Sequence, residues 1–172
     1  GSTQASETTA AATHAVGQVR RDPMAMLPFC GYNMGDYFAH WLKLGKKQGA
    51  KLPKVFYVNW FRKSPEGKFL WPGFGDNSRV LKWIFERVEG QADAVQTPIG
   101  HLPKPGAIDT TGLDLPPGTM EELFRLDVDG WHEEIGGINE HYNKFEGCLP
   151  EELRDELDAL ELRLKDYEAK IK

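Results

Sequence analysis

Between residues 54 and 88 the pattern of the sequence changes twice, and this limits what the chain can fold into. The run KVFYVNWF (54–61) follows Pro53 and is β-branched and aromatic, which predicts a buried strand. SPEG (64–67) puts proline second and glycine fourth, a tight-turn signature, so KFLW (68–71) reads as a returning strand and the region as a hairpin. PGFGDN then breaks regular structure. SRVLKWIFERVEG repeats Val80, Leu81, Ile84, Phe85 and Val88 at helical spacing, with Asn77 or Ser78 as its cap. A chain built around this unit is neither all-α nor all-β.

The flanking sequence adds mostly helices. Asn33 is positioned to cap a helix through GDYFAHWLKLGKK, with Gly49 as its stop. The stretch from Thr97 to Gly118 is rich in proline and glycine and reads as a strand and surface loop. Thr119 starts a short helix, and Asp129 starts another that Gly136 and Gly137 weaken. Pro150 opens the last helix at its first turn. There Leu153, Leu157, Leu160, Leu164, Tyr167 and Ile171 form a heptad-like stripe. The stripe reads as a terminal helix packed on its own domain, with a partner coiled coil as the alternative. The fold class is therefore α/β, mixed α and β, with few strands and several helices.

The 172 residues suit one sizeable domain. A net charge of −5 argues against nucleic acid or an anionic membrane surface as a partner. No apolar run approaches the length of about 18 residues that crosses a membrane, and no signal peptide is visible. The charge is uneven. Lys51, Lys54, Arg62, Lys63, Lys68, Arg79 and Lys82 stand against only Glu66 and Asp76, whereas acids dominate from Glu121 onward. An anionic small ligand therefore suits the basic segment. Cys30 and Cys148 form no CxxC or metal-ligand spacing, and two reduced thiols are the simpler reading.

Searches for chemistry exclude more than they find. Neither Gly45-Lys46 nor Gly67-Lys68 sits in a phosphate loop, and GxGxxG and HExxH are absent. The five histidines are scattered, and no nucleophile, general base or metal set stands out. What remains is the aromatic and glycine-rich stretch around residues 58–79. Composition alone reads these aromatics as hairpin core. The alternative is a pocket wall, in which aromatic faces hold a flat ring by stacking and Asn77 reads its edge with one donor and one acceptor.

Four segments decide between these readings: SETTAAA (6–12), DPMAMLPFCGYNMGDYFAHWL (22–42), LPKVFYVNWFRKSPEGKFLWPGFGDNSRVLKWIFER (52–87) and TPIGHLPKPGAID (97–109). In this order they closely resemble the C-terminal part of GTP-dependent phosphoenolpyruvate carboxykinases. Those enzymes decarboxylate oxaloacetate and phosphorylate the enolate from GTP, giving phosphoenolpyruvate, GDP and CO₂. The resemblance implies the C-terminal part of a nucleotide-binding domain. It divides the chain into a mobile lid (1–18), a guanine-binding part (19–112) and a C-terminal helical region (113–172).

The resemblance also assigns residues. Phe61 and Phe74 sandwich guanine, Trp60 and Phe69 complete the wall, and Phe74, Gly75, Asp76 and Asn77 meet the base edge, with Asn77 giving the polar reading. Asp76 is not the discriminator, because relatives carry glutamate there. Phe29 lies close to the same cleft. In the lid, Thr13 stands where the family often has glutamate, and Ala15, Val16 and Gly17 where it often has a basic run.

The implied ligands are GTP/GDP and Mn²⁺ or Mg²⁺, with the metal ligands outside this chain. Oxaloacetate and phosphoenolpyruvate are expected to be bound mainly by an upstream segment of the same enzyme. That segment also carries the phosphate loop, reactive cysteine and substrate arginines, so the chain alone is expected to be inactive and its start at Gly1 internal. The resemblance further implies a cytoplasmic, monomeric enzyme of gluconeogenesis with no nucleic-acid or membrane partner. Two other readings stand beside it: an isolated non-catalytic guanine-nucleotide-binding module, and a structural domain whose aromatics are core.

Overall fold

The structure, a computed structural model, describes residues 2–3, 19–21 and 29–171. In chain order the described elements are β1 (Ser2–Thr3), β2 (Val19–Arg20), α1 (Met34–Gly45), a 3₁₀ turn (Phe74–Asp76), α2 (Asn77–Val88), β3 (Ala94–Thr97), β4 (Gly100–Pro103), α3 (Thr119–Phe124), α4 (Val128–Asn143), a second 3₁₀ turn (Glu146–Cys148) and α5 (Glu151–Ile171). This is the mixed α/β content that the sequence predicts. The chain packs as two compact units, one of Gly1–Ala50 and Gly130–Glu161, the other of Lys51–Asp129 and Leu162–Lys172.

In the first unit Ser2 and Thr3 pair antiparallel with Arg20 and Val19. The lid segment lies almost wholly outside the described residues. Asn33 caps α1 as expected, its side-chain oxygen accepting from the Gly35 amide at 2.8 Å. The Asn33 Nδ2 also donates to the Phe145 carbonyl, tying this helix start to the turn after α4. Gly35 makes the approach possible: a Cβ there would stand 2.7 Å from the Cys148 carbonyl carbon and closer still to its oxygen. Helix α1 ends at Gly45, before the expected stop; Gly49 has φ 75° but lies in the turn beyond. Phe38 and His141 both meet the Phe145 ring edge-on, with centroids at 5.5 and 5.0 Å. Met34, Ile135, Phe145 and Leu157 are buried. Helix α4 runs unbroken through Gly136 and Gly137.

In the second unit Trp71, Trp83 and Ile108 form the buried centre, with Phe56, Trp60, Val80, Ile84, Met120, Leu123 and Phe124 packed around it. β3 and β4 form a two-stranded antiparallel hairpin from Ala94↔Pro103 to Thr97↔Gly100. Helix α5 belongs to both units: Leu157 is buried in the first and Leu164 in the second, Leu153, Leu160 and Tyr167 are half-buried, and Ile171 is exposed.

The expected 54–61 strand is the main correction. This segment is not in a ladder; the one isolated antiparallel bridge among the described residues, Lys63↔Phe69, lies two residues beyond it. The turn between them forms as predicted, with Ser64 N donating to Lys68 O, Gly67 N to Ser64 O, and Gly67 at φ 80°. A strand requires a ladder along its length, and among the described residues none forms along 54–61. Nor is the segment buried throughout. Phe56, Val58 and Trp60 are half-buried, while Val55, Tyr57 and Phe61 point outward.

Candidate guanine-binding surface

The site residues expected from the sequence separate into an inner and an outer set. Trp71, 6% exposed, belongs to the core. Trp60 packs half-buried against it. Phe61 and Phe69 are 72% and 59% exposed and form an edge-on pair with centroids 6.1 Å apart. Phe74 is 98% exposed. Phe29 is exposed in the other unit.

Phe74 also carries an unusual backbone. Its φ of 44° lies in the left-handed region, which non-glycine residues rarely occupy and which costs on the order of 1–3 kcal/mol. Gly73 before it, at φ 78° and ψ −168°, occupies a conformation open to glycine. Gly75 differs: it lacks a positive φ, and a Cβ on it would meet nothing within 4 Å. Nothing in the local structure therefore requires a glycine at 75.

The loop that presents Phe74 is held by its own side chains. Asp76 N donates to Gly73 O at 3.1 Å, and Ser78 Oγ donates to Gly75 O at 2.8 Å. Arg79 Nε donates to an Asp76 carboxylate oxygen at 3.0 Å, while Arg79 Nη1 reaches Asp109 O. The Asp76 carboxylate is thus occupied by Arg79. Asp76 holds the N-cap position of α2, without a capping bond from its side chain, so neither Asn77 nor Ser78 is the cap as expected; Asn77 is the first helical residue. The Trp71 indole N–H donates to Asn77 Oδ1 at 2.9 Å.

The basic segment is largely spent on structure. Lys54 donates to the Arg87 and Val88 carbonyls at the end of α2. Arg62 reaches the Leu123 and Arg125 carbonyls at the end of α3. Arg79 serves the loop, and Lys82 lies 3.8 Å from Glu86. Lys63 sits 5.0 Å from the Phe69 ring centre, a cation–π contact.

A cavity of about 600 Å³ opens elsewhere in the same unit, among Thr97, Leu102, Phe124, Arg125, Tyr167 and Ile171. None of the expected base-site residues lines it. The aromatic stretch instead presents an exposed Phe61–Phe69 pair, and an exposed Phe74 three residues before the half-exposed Asn77. Among the described residues no three His, Cys, Asp or Glu side chains converge as a metal site would require. No described helix is long and apolar enough to cross a membrane.

Comparison with known proteins gives one consistent result. Residues 1–163 match the family model described as the phosphoenolpyruvate carboxykinase C-terminal P-loop domain. Among curated relatives, a phosphoenolpyruvate carboxykinase [GTP] from Neocallimastix frontalis is 59% identical over 167 residues, covering 96% of this chain and 27% of its own. Proteins of the same name from Arthrobacter sp. (strain FB24) and Treponema pallidum (strain Nichols) are each 56% identical, over 97% and 98% of this chain and 28% of their own. The chain thus spans just over a quarter of the length of these relatives.

Proposed function

This chain belongs to the GTP-dependent phosphoenolpyruvate carboxykinase family, and from that membership we propose that it supplies the guanine-recognition surface of an enzyme converting oxaloacetate and GTP to phosphoenolpyruvate, GDP and CO₂. Phe61 and Phe74 hold the faces of the base, with Phe69 and Trp60 behind them. Asn77 meets its polar edge, and Gly75 leaves room for that edge to come against the backbone. Asp76, committed to Arg79, is a brace for the loop. Residues 1–18 are the lid in this reading.

The observation that carries this reading is Phe74. A phenylalanine ring exposed to water, on a backbone held in a costly conformation by Ser78 and Arg79, gains nothing for the fold. It gains a great deal as a stacking platform, since one base face is worth about 1–3 kcal/mol. The core reading suits Trp71 and Trp60, and does not suit Phe61 or Phe74.

The chemistry of the bond changes belongs, in this proposal, to an upstream polypeptide. Few cations of the basic segment are left for a triphosphate, and a divalent ion, when bound with the nucleotide and substrate, would supply charge neutralisation from ligands outside this chain. A monomeric complete enzyme in the cytoplasm is part of the same proposal.

Tryptophan emission, titrated with GTP and separately with ATP, tests the base surface. GTP should change the emission more than ATP at equal concentration. Equal indifference to both would count against it. Incubated alone with oxaloacetate, GTP and Mn²⁺, the chain should form no phosphoenolpyruvate, and formation of that product would overturn the division of labour.

A further inference from the structure

The hydrogen bond between Trp71 and Asn77 has a consequence for base choice, which rests on the reading of this surface as the guanine site. Trp71 is buried with Trp83 and Ile108, so its ring is fixed by packing. Its indole N–H is a donor and nothing else. An amide 2.9 Å from that donor must present its oxygen, because its NH₂ there would set donor against donor and leave a buried N–H unpaired. With Oδ1 engaged, what Asn77 has left to offer is its NH₂ group. The side chain is half-exposed, and this is the only hydrogen bond it makes among the described residues.

We propose that Trp71 is a positioning residue for base selection: it locks the Asn77 amide so that the surface presents two donors and no acceptor to the purine edge. A site so arranged takes a ring carbonyl and turns away an exocyclic amino group. Guanine carries a carbonyl at its 6-position, whereas adenine carries an amino group. The two buried indoles of this cluster differ in their N–H groups. Trp83, in the same buried cluster, keeps its indole N–H without a partner among the described residues. Donation by Trp71 spares the core a second buried, unpaired indole N–H, and the same bond sets the orientation of Asn77.

The test is a set of dissociation constants for GTP and ATP, measured on this chain by NMR titration so that weak binding is still read. Wild type, Trp71→Phe, Asn77→Ala and the double variant are compared. Because phenylalanine underfills the space of an indole, a second form carries 3-benzothienylalanine at position 71, which keeps the bicyclic shape and lacks the N–H. Wild type should prefer GTP. Removing the N–H should weaken GTP by about fivefold, the scale of one neutral hydrogen bond, and leave ATP unchanged or tighter. In the Asn77→Ala background the same change should add nothing. An equal loss for both nucleotides, or the same loss without Asn77, would make Trp71 a packing residue only and overturn the proposal. Full GTP preference in the benzothienyl form would do the same while leaving the guanine site intact. A wild type without GTP preference would overturn the guanine site, and this proposal with it.

Discussion

Phe74→Ala separates a ligand-stacking ring from a core ring. With 98% of the residue exposed, truncation removes almost no buried surface and leaves no cavity. Stability should change by no more than about 0.5 kcal/mol, against about 3–5 kcal/mol for a phenylalanine taken from a packed core. Alanine at φ 44° bears the same left-handed strain, so the backbone term cancels. The loss should appear in binding. One stacked face is worth about 1–3 kcal/mol, which weakens GTP roughly 5- to 150-fold. Urea unfolding followed by tryptophan emission gives the first quantity, and GTP titration gives the second. Phe56→Ala is the control, since Phe56 meets Trp83 edge-on at 6.2 Å in the core cluster and should lose stability. A loss of 2 kcal/mol or more in Phe74→Ala would show that the ring packs in solution. Unchanged GTP affinity would show that it does not stack.

Three further outcomes follow from the first unit. Asn33→Ala removes both the α1 cap and the bond to Phe145 O, and should cost about 1–2 kcal/mol by urea unfolding. Gly35→Ala places a methyl against the Cys148 carbonyl, which is backbone, and should cost about 1–3 kcal/mol with a shift in the amide signals of residues 146–148. Burial, and then Lys144 and Arg21, hold the His141 pKa below its ordinary 6.5. The unfolded chain therefore binds the proton first. The stability that neutral His141 contributes is complete above pH 6.5 and falls as pH drops toward the folded pKa. An NMR titration of the His141 ring with its midpoint below 6.5, and a shallower acid loss in His141→Gln, are the expected results; a midpoint above 6.5 would reverse the sign.

Local signals are legible in the sequence where they act locally. Asn33 announced its cap, Pro65 and Gly67 their turn, and the leucines of α5 their inward stripe, because each depends on neighbours within one turn of chain. The fate of the aromatics was not legible in the same way. Trp71 and Phe74 stand three residues apart, one in the core and one in water, and hydrophobicity alone assigns both to the core. Only the backbone at Gly73 and Phe74 sends them apart. The strand at 54–61 misled for a different reason, since β-branched and aromatic residues report a liking for extended structure and say nothing about whether a partner strand is present. The AVQT strand leaves little trace in the sequence, because four residues with one β-branched pair carry little signal. Arg62 and Arg79 counted as free charge in the sequence, but carbonyls distant in sequence take them up. The Trp71–Asn77 bond joins two residues of the aromatic and glycine-rich stretch, yet no composition rule pairs an indole with an amide six positions on.

Saturation-transfer NMR on this chain with GTP tests the central claim most directly. Irradiating the phenylalanine ring protons should label guanine H8 more strongly than the ribose protons, with that signal reduced in Phe74→Ala and in Phe61→Ala. Transfer spread evenly over base and ribose, or unchanged when both rings are removed, would contradict the assignment of these phenylalanines as the faces that hold the base.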